Sequence, residues 1–319
     1  MKHTLAFAAM MAIASPAMAE KWDMPTPYGD TTFHTQNISQ FADEVRAATN
    51  GDLDITVHSA GSLFPHAEIK NAVRSSQVPI GEFFLSRLSN EDAAFGVDSQ
   101  PFVATSYEEA AKLWDAQKPV VKELLAKQGL MPLFSVPWPA QGLYTKSEIA
   151  SVDQLNGLRF RAYNAALEEF ATLAGAAPVQ VAAPDIAQAF STGQVQAMIT
   201  SPSTGANSSA WDFLSHFSPI NAWVPKNIVV VNIAAFEGLS AENQKAVKEA
   251  AAKAMARGWE MSAAEAKAKT AVMAEHGMVI YEPSDALKSG LSAIGATMLE
   301  TWNAKASDAA KSVLETYNQ

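Results

Sequence analysis

Two proline-marked stretches, Val136-Pro137-Trp138-Pro139 and Trp223-Val224-Pro225, do most to limit how this chain can fold. The first follows a strand-like run from Met131 to Val136, and the second leads into a β-branched run from Asn227 to Asn232. Proline cannot donate to a sheet ladder, so a central strand rejects such a stretch, whereas a passage between two lobes accepts it. The chain is therefore expected to leave one lobe at the first stretch and to return at the second. Its length of 319 residues agrees, because single cores usually stop growing below that size.

Between these points strand-like and helical patterns alternate, which predicts an α/β fold with a largely parallel sheet in each lobe. Leu53, Ile55 and Val57 alternate as a strand, and Ile38, Phe41, Ala42 and Val45 recur at helical spacing before the stop at Thr49-Asn50-Gly51. Ser106 and Glu109 have the spacing of a capping box, and Pro79 to Leu85, Leu143 to Lys146, Leu158 to Arg161 and Ala197 to Ser201 read as strands. From Ala241 to His276 a run rich in Ala, Glu, Lys and Met is interrupted by Gly258 alone; it is either one long helix bridging both lobes or two helices broken at that glycine. The expected division is a leader at 1–19, lobe I at 20–137 plus about 225–258, and lobe II at 138–224 plus about 259–319.

The leader rests on Lys2 and His3, an apolar run from Leu5 to Ile13, and an A-x-A site at Ala17-Met18-Ala19, the pattern of a secretory signal peptide cut before Glu20. It predicts export, to the periplasm in a cell that has one. No other apolar stretch approaches the roughly 18 residues a membrane span requires. The chain has no cysteine, which excludes disulfides and thiolate metal sites, and its net charge of -10 without long like-charge runs argues against nucleic acid.

Signatures of catalysis are missing: there is no G-x-G-x-x-G, G-x-x-x-x-G-K-[ST], G-x-S-x-G or H-E-x-x-H. The most informative segment is Gly157-Leu158-Arg159-Phe160-Arg161-Ala162-Tyr163-Asn164. A strand here puts Arg159 and Arg161 on one face and Phe160 on the other, so one arginine can end in a cleft at the C-terminal end of the strand. There its planar fork would hold a carboxylate through two hydrogen bonds; a surface salt bridge is the other use such a residue finds. Phe83, Phe84, Trp138 and Trp223 stand at strand ends and crossings, where aromatic rings can stack on a ligand or simply fill the core.

Taken in order, the Gly157 to Arg161 segment, Phe41-Ala42-Asp43-Glu44-Val45, Gly61-Ser62-Leu63, Val78-Pro79-Ile80-Gly81-Glu82, Pro101-Phe102, and Gly193 before Ala197-Met198-Ile199-Thr200 resemble the substrate-binding proteins of TRAP (tripartite ATP-independent periplasmic) transporters, the DctP type. The resemblance runs over essentially the whole chain after the leader. It implies a monomeric, two-lobed periplasmic solute-binding protein with hinge-crossing strands, which closes on a small organic acid and hands it to a membrane permease driven by an ion gradient.

On that resemblance Arg161 grips the ligand carboxylate and Arg159 is structural. Gln141, with Trp138 just upstream, falls on the polar contact after the first crossing, where many sugar-acid relatives have a second basic residue. Thr200 and Ser201 match the polar strand end, Trp223 and Asn227 fall on the crossing that faces the cleft, and Phe84 lies near a further contact. Phe33 and His34 precede the first helix, whose N-terminus favours an anion. This aromatic set points to a monocarboxylate with an apolar or aromatic body, the alternatives being a sugar acid or a small keto or hydroxy acid. No cofactor and no metal are expected. A remoter alternative is a secreted enzyme acting on organic acids with Glu82 or His34 as base.

Overall fold

The structure is a computed structural model and describes residues 19–319, so the expected leader lies outside the described residues except for Ala19. The described residues open with a β-α-β unit. Strand β1 (Glu20–Pro25) pairs in parallel with β2 (Leu53–His58), and helix α1 (Phe33–Ala48) joins them. The sequence alternation is realised: Leu53 and Ile55 are buried, while Ile38, Phe41, Ala42 and Val45 form the inner face of α1. Helix α2 (His66–Arg74) leads to β3 (Ile80–Phe84), and α3 (Tyr107–Ala126) leads to β4 (Leu130–Pro137). The capping box opens α3, with Ser106 Oγ accepting the Glu109 N–H and the Glu109 carboxylate accepting the Ser106 N–H.

The chain then enters a six-stranded sheet through β5 (Gly142–Thr145). Next come β6 (Arg159–Ala162), α4 (Ala165–Leu173), β7 (Ala177–Gln180), α5 (Ile186–Ser191), β8 (Ala197–Thr200), α6 (Pro202–Asn207) and β9 (His216–Ser218). Strand β10 (Lys226–Asn232) returns to the first lobe and inserts between β3 and β4. Helices α7 (Ile233–Gly238) and α8 (Ala241–Glu275) follow, then β11 (Val279–Ile280), α9 (Asp285–Lys305) and α10 (Asp308–Tyr317). The last helix packs on α3 of the first lobe through Ala310 and Val313.

The largely parallel sheets expected from the alternation are corrected to mixed ones. β10 is antiparallel to both β3 and β4, and β5 is antiparallel to both β8 and β9; β6 is parallel to β7 and β8. The crossings explain this, because β4 leads out of the first lobe and β10 leads back in, so neighbours joined by the two passages run in opposite directions. The passages are themselves tied together. Trp138 N–H donates to Pro225 O at 2.8 Å, Gln141 N–H to Trp223 O at 3.0 Å, and Ala222 N–H to Gln141 O at 2.9 Å.

Helix α8 is one unbroken helix of 35 residues. Its first half buries Val247, Ala250, Ala251 and Ala254 against the first lobe, and Met273 near its end packs into the second. Gly258 is where it comes closest to its neighbours: a Cβ there would lie 2.4 Å from Val136 Cγ2 and 2.7 Å from Asn37 Nδ2. The glycine therefore permits close packing against β4 and α1 rather than breaking the helix.

Candidate functional site

Arg161 sits near the C-terminal end of β6, with Phe160 buried on the opposite side of the sheet beside Phe170. Only 2% of Arg161 is exposed. Its Nε–H donates to Val181 O at 3.1 Å, its guanidinium lies over the Tyr163 ring at 4.9 Å, and its Nη1 is buried with no hydrogen-bond partner. Burial lowers its pKa to about 10, so the group remains a cation at neutral pH. A buried cation with an unmet donor is costly unless an anion joins it. Arg159, on the same face of the strand but at its exposed end, donates from Nε to Gly193 O at 2.8 Å. Strand parity put both arginines on one face; depth along the strand separates them.

The space in front of Arg161 is a small cavity that shares Tyr28, Trp138, Ala183 and Thr204 with a neighbouring cavity of about 770 Å³. From the sequence-predicted set it brings together Phe84, Trp138, Gln141, Arg161, Thr200 and Ser201. It adds Tyr28, His66, Arg87 and Tyr163, which sequence reasoning missed. Tyr163 was within reach of that reasoning, since it stands two residues beyond Arg161 and the period of a strand places it on the same face. No local pattern marks His66 or Arg87. Gln141 occupies, on the second lobe, the place where many sugar-acid relatives have a second basic residue, and Arg87 reaches the cavity from the first lobe and donates to Tyr163 O at 3.1 Å.

Phe33, His34, Trp223 and Asn227 stand one layer behind the cavity wall. Phe33 and His34 do not precede α1 but form its first two residues, and both rings pack against Trp138, with centroids 5.5 and 4.2 Å away. Asn227 is enclosed: its Oδ1 accepts from Trp138 Nε1 at 2.9 Å and from the Tyr28 hydroxyl at 3.1 Å, while its Nδ2 donates to Glu82 at 3.0 Å. Trp223 Nε1 donates to the Tyr163 hydroxyl at 3.0 Å, which donates to Gln141 Oε1 at 3.1 Å, and Gln141 Nε2 donates to Pro139 O at 2.7 Å. These residues fix the orientation of the side chains that line the site.

Glu82, the base of the enzyme alternative, is likewise occupied. Thr26 Oγ1 donates to it at 2.6 Å, Asn227 donates to its other oxygen, and His34 Nδ1 lies 3.3 Å away at an angle unsuited to a hydrogen bond. Desolvation lowers the His34 pKa, so the imidazole is held neutral beside the carboxylate. Among the described residues no three His, Cys, Asp or Glu side chains converge as metal ligands, and no helix is long and apolar enough to cross a membrane.

The fold has close counterparts among solved structures. DctP7 of Bordetella pertussis, an extracytoplasmic solute receptor binding pyroglutamic acid, is 42% identical with a TM-score of 0.93 over 94% of this chain and 100% of its own. DctP6 of the same organism, also binding pyroglutamic acid, is 39% identical with a TM-score of 0.92 over 93% and 99%. A TRAP solute-binding protein from a marine metagenome, specific for pyroglutamate, is 41% identical with a TM-score of 0.92 over 94% and 99%.

Curated relatives are more distant. A solute-binding protein of Chromohalobacter salexigens is 22% identical over 86% of this chain and 83% of its own length. One of Albidiferax ferrireducens is 25% identical over 53% of this chain, and the match spans only 50% of that relative's length. Residues 26–305 match the model of the bacterial extracellular solute-binding proteins, family 7 (DctP), and the chain belongs to that family of TRAP solute receptors.

Proposed function

We propose that this TRAP receptor captures pyroglutamate, or a closely similar compact cyclic monocarboxylate, and delivers it to its membrane permease. The observation that carries the reading is the buried Arg161 Nη1, unpartnered at the wall of a small cavity between the lobes. A bidentate carboxylate is the group that best satisfies it. The rings of Phe84, Trp138, Tyr28 and Tyr163 enclose the cavity beside Arg161 and suit a compact ligand body with apolar faces. Pyroglutamate binding by the three relatives at 39 to 42% identity supports the same chemistry. The expectation of an apolar or aromatic body is thereby narrowed to a compact cyclic one.

In this proposal the receptor is exported by cleavage before Glu20 and acts as a monomer in the periplasm. Its lobes comprise about 20–137 with 225–258 and about 138–224 with the later helices, α10 being counted with the first lobe. They close by bending at the paired passages around Trp138 and Trp223. The test is native mass spectrometry of the purified receptor followed by a thermal-shift panel of carboxylates. Stabilisation by pyroglutamate that disappears in Arg161→Ala is the expected result. Stabilisation by uronates alone would overturn the ligand assignment, and a dimer mass at micromolar concentration would overturn the monomer.

A further inference from the structure

His66 opens α2 and borders the cavity near Phe84 and Arg87. Its Nε2 faces the backbone N–H of Phe84 at 3.0 Å and accepts from it. A ring nitrogen that accepts from an N–H carries no proton, so the single proton of the neutral imidazole is on Nδ1. Burial and the Arg87 guanidinium lower the His66 pKa to about 3, which keeps the ring neutral and this tautomer in place. Nδ1–H has no partner within the protein and is not sealed in the core.

The polar groups of the cavity are unbalanced in a way that describes the ligand. The donors include the charged Arg161 Nη1 and the neutral His66 Nδ1–H. Of the acceptors, Gln141 Oε1 is already engaged by Tyr163, and the Thr200, Ser201 and Thr204 hydroxyls line the same cavity and can either donate or accept. The two unmet donors are satisfied by a ligand that brings acceptors at two places, one anionic and one able to meet a neutral donor. At His66 itself the donor is uncharged and suits a carbonyl oxygen, which loses less hydration on burial than a second carboxylate, while the nearby Arg87 guanidinium is directed to Tyr163 O.

We infer that His66 determines specificity, its Nδ1–H hydrogen-bonding a neutral carbonyl oxygen on the ligand ring while Arg161 holds the ligand carboxylate. The inference rests on reading the chain as a receptor for a small cyclic monocarboxylate. It distinguishes a ring that carries a carbonyl, such as a lactam or lactone acid, from an otherwise identical ring without one. Neutrality of the imidazole is what makes the discrimination independent of pH across the range in which an ordinary histidine titrates.

Two probes isolate the carbonyl: 5-oxotetrahydrofuran-2-carboxylate and tetrahydrofuran-2-carboxylate, which differ in that group alone. Titration calorimetry of the receptor with each gives a ratio of dissociation constants, to be measured for the wild type and for His66→Gln. Glutamine reaches the Nε2 position, where its amide oxygen accepts the Phe84 N–H, but it offers nothing at the Nδ1 position. The wild type is expected to prefer the carbonyl compound by about tenfold or more. In His66→Gln that preference falls to about twofold or less, and an unchanged circular-dichroism spectrum and cooperative melting show that the variant is folded. A preference that survives in His66→Gln overturns the inference. A wild type that binds pyroglutamate but does not distinguish the two probes overturns it while leaving the proposed function standing; a wild type that binds none of these acids overturns both.

Discussion

Trp138 on the outward passage and Asn227 on the returning strand are joined by a hydrogen bond of 2.9 Å from the indole Nε1–H to Oδ1. The same oxygen accepts the Tyr28 hydroxyl, and the Asn227 amide nitrogen donates to Glu82. One buried side chain thus holds two aromatic walls of the cavity and neutral contact with a buried carboxylate.

Asn227→Leu keeps the volume but leaves the Trp138 N–H, the Tyr28 hydroxyl and a Glu82 oxygen without partners. Such orphaned groups cost about 1–3 kcal/mol each before relaxation. We expect a loss of about 3 kcal/mol in urea denaturation, together with roughly tenfold weaker ligand binding as the two rings lose their fixed orientation.

Arg161→Ala should separate binding from stability. Removing a carboxylate's buried partner typically costs several kcal/mol of affinity, so pyroglutamate binding is expected to weaken by about 100-fold or more in calorimetry. The empty protein, relieved of a buried cation with an unmet donor, is expected to melt no lower than the wild type. Arg161→Lys keeps the charge without the fork and should bind at an intermediate level.

Gly258→Ala is expected to reverse the usual sign of a glycine-to-alanine change in a helix. In an open helix the substitution gains about 1 kcal/mol. Here the new methyl would lie 2.4 Å from Val136 Cγ2, which pushes α8 off β4 and overpacks the core. A net loss of about 1–3 kcal/mol in chemical denaturation follows.

Acid should destabilise the fold through its buried histidines. His34 and His66 both titrate below the ordinary histidine value in the folded state, because burial disfavours their charged forms. Their neutral forms are therefore matched in both states above about pH 6.5, and as the pH falls below that value the unfolded chain takes up protons that the folded chain does not. Stability is therefore expected to fall between pH 7 and pH 5, with His34 and His66 both contributing. Urea midpoints at the two pH values check this. His34→Gln should shrink the difference between them, and an unchanged difference would mean that His34 does not contribute.

How far the site could be read from the sequence depended on whether its signals were local. The β6 strand was legible because Leu158 to Arg161 alternate, and the turn at Gly157, at φ +74°, marks its start. The two passages were legible because Pro137, Pro139 and Pro225 cannot serve a ladder. Phe33, His34, Trp223 and Asn227 were brought to the correct region but one layer too far forward, since spacing does not tell a ring that touches ligand from one that supports it. Tyr28 and Asn227 meet across 199 residues of sequence, and nothing near either one announces the other.

The sequence by itself determined the type and rough place of many helices and strands up to His276, that the chain crosses twice between two lobes, and that an arginine at 161 stands at the end of a strand. Periodicity, caps and proline act within a few residues, so they survive in a linear reading. Only the tertiary structure decided that the sheets are mixed, that α8 passes unbroken through Gly258, and that His66 and Arg87 from one lobe face Arg161 from the other. Those outcomes depend on which surfaces pack and on which buried polar groups find partners, and both are settled between segments that the chain keeps far apart.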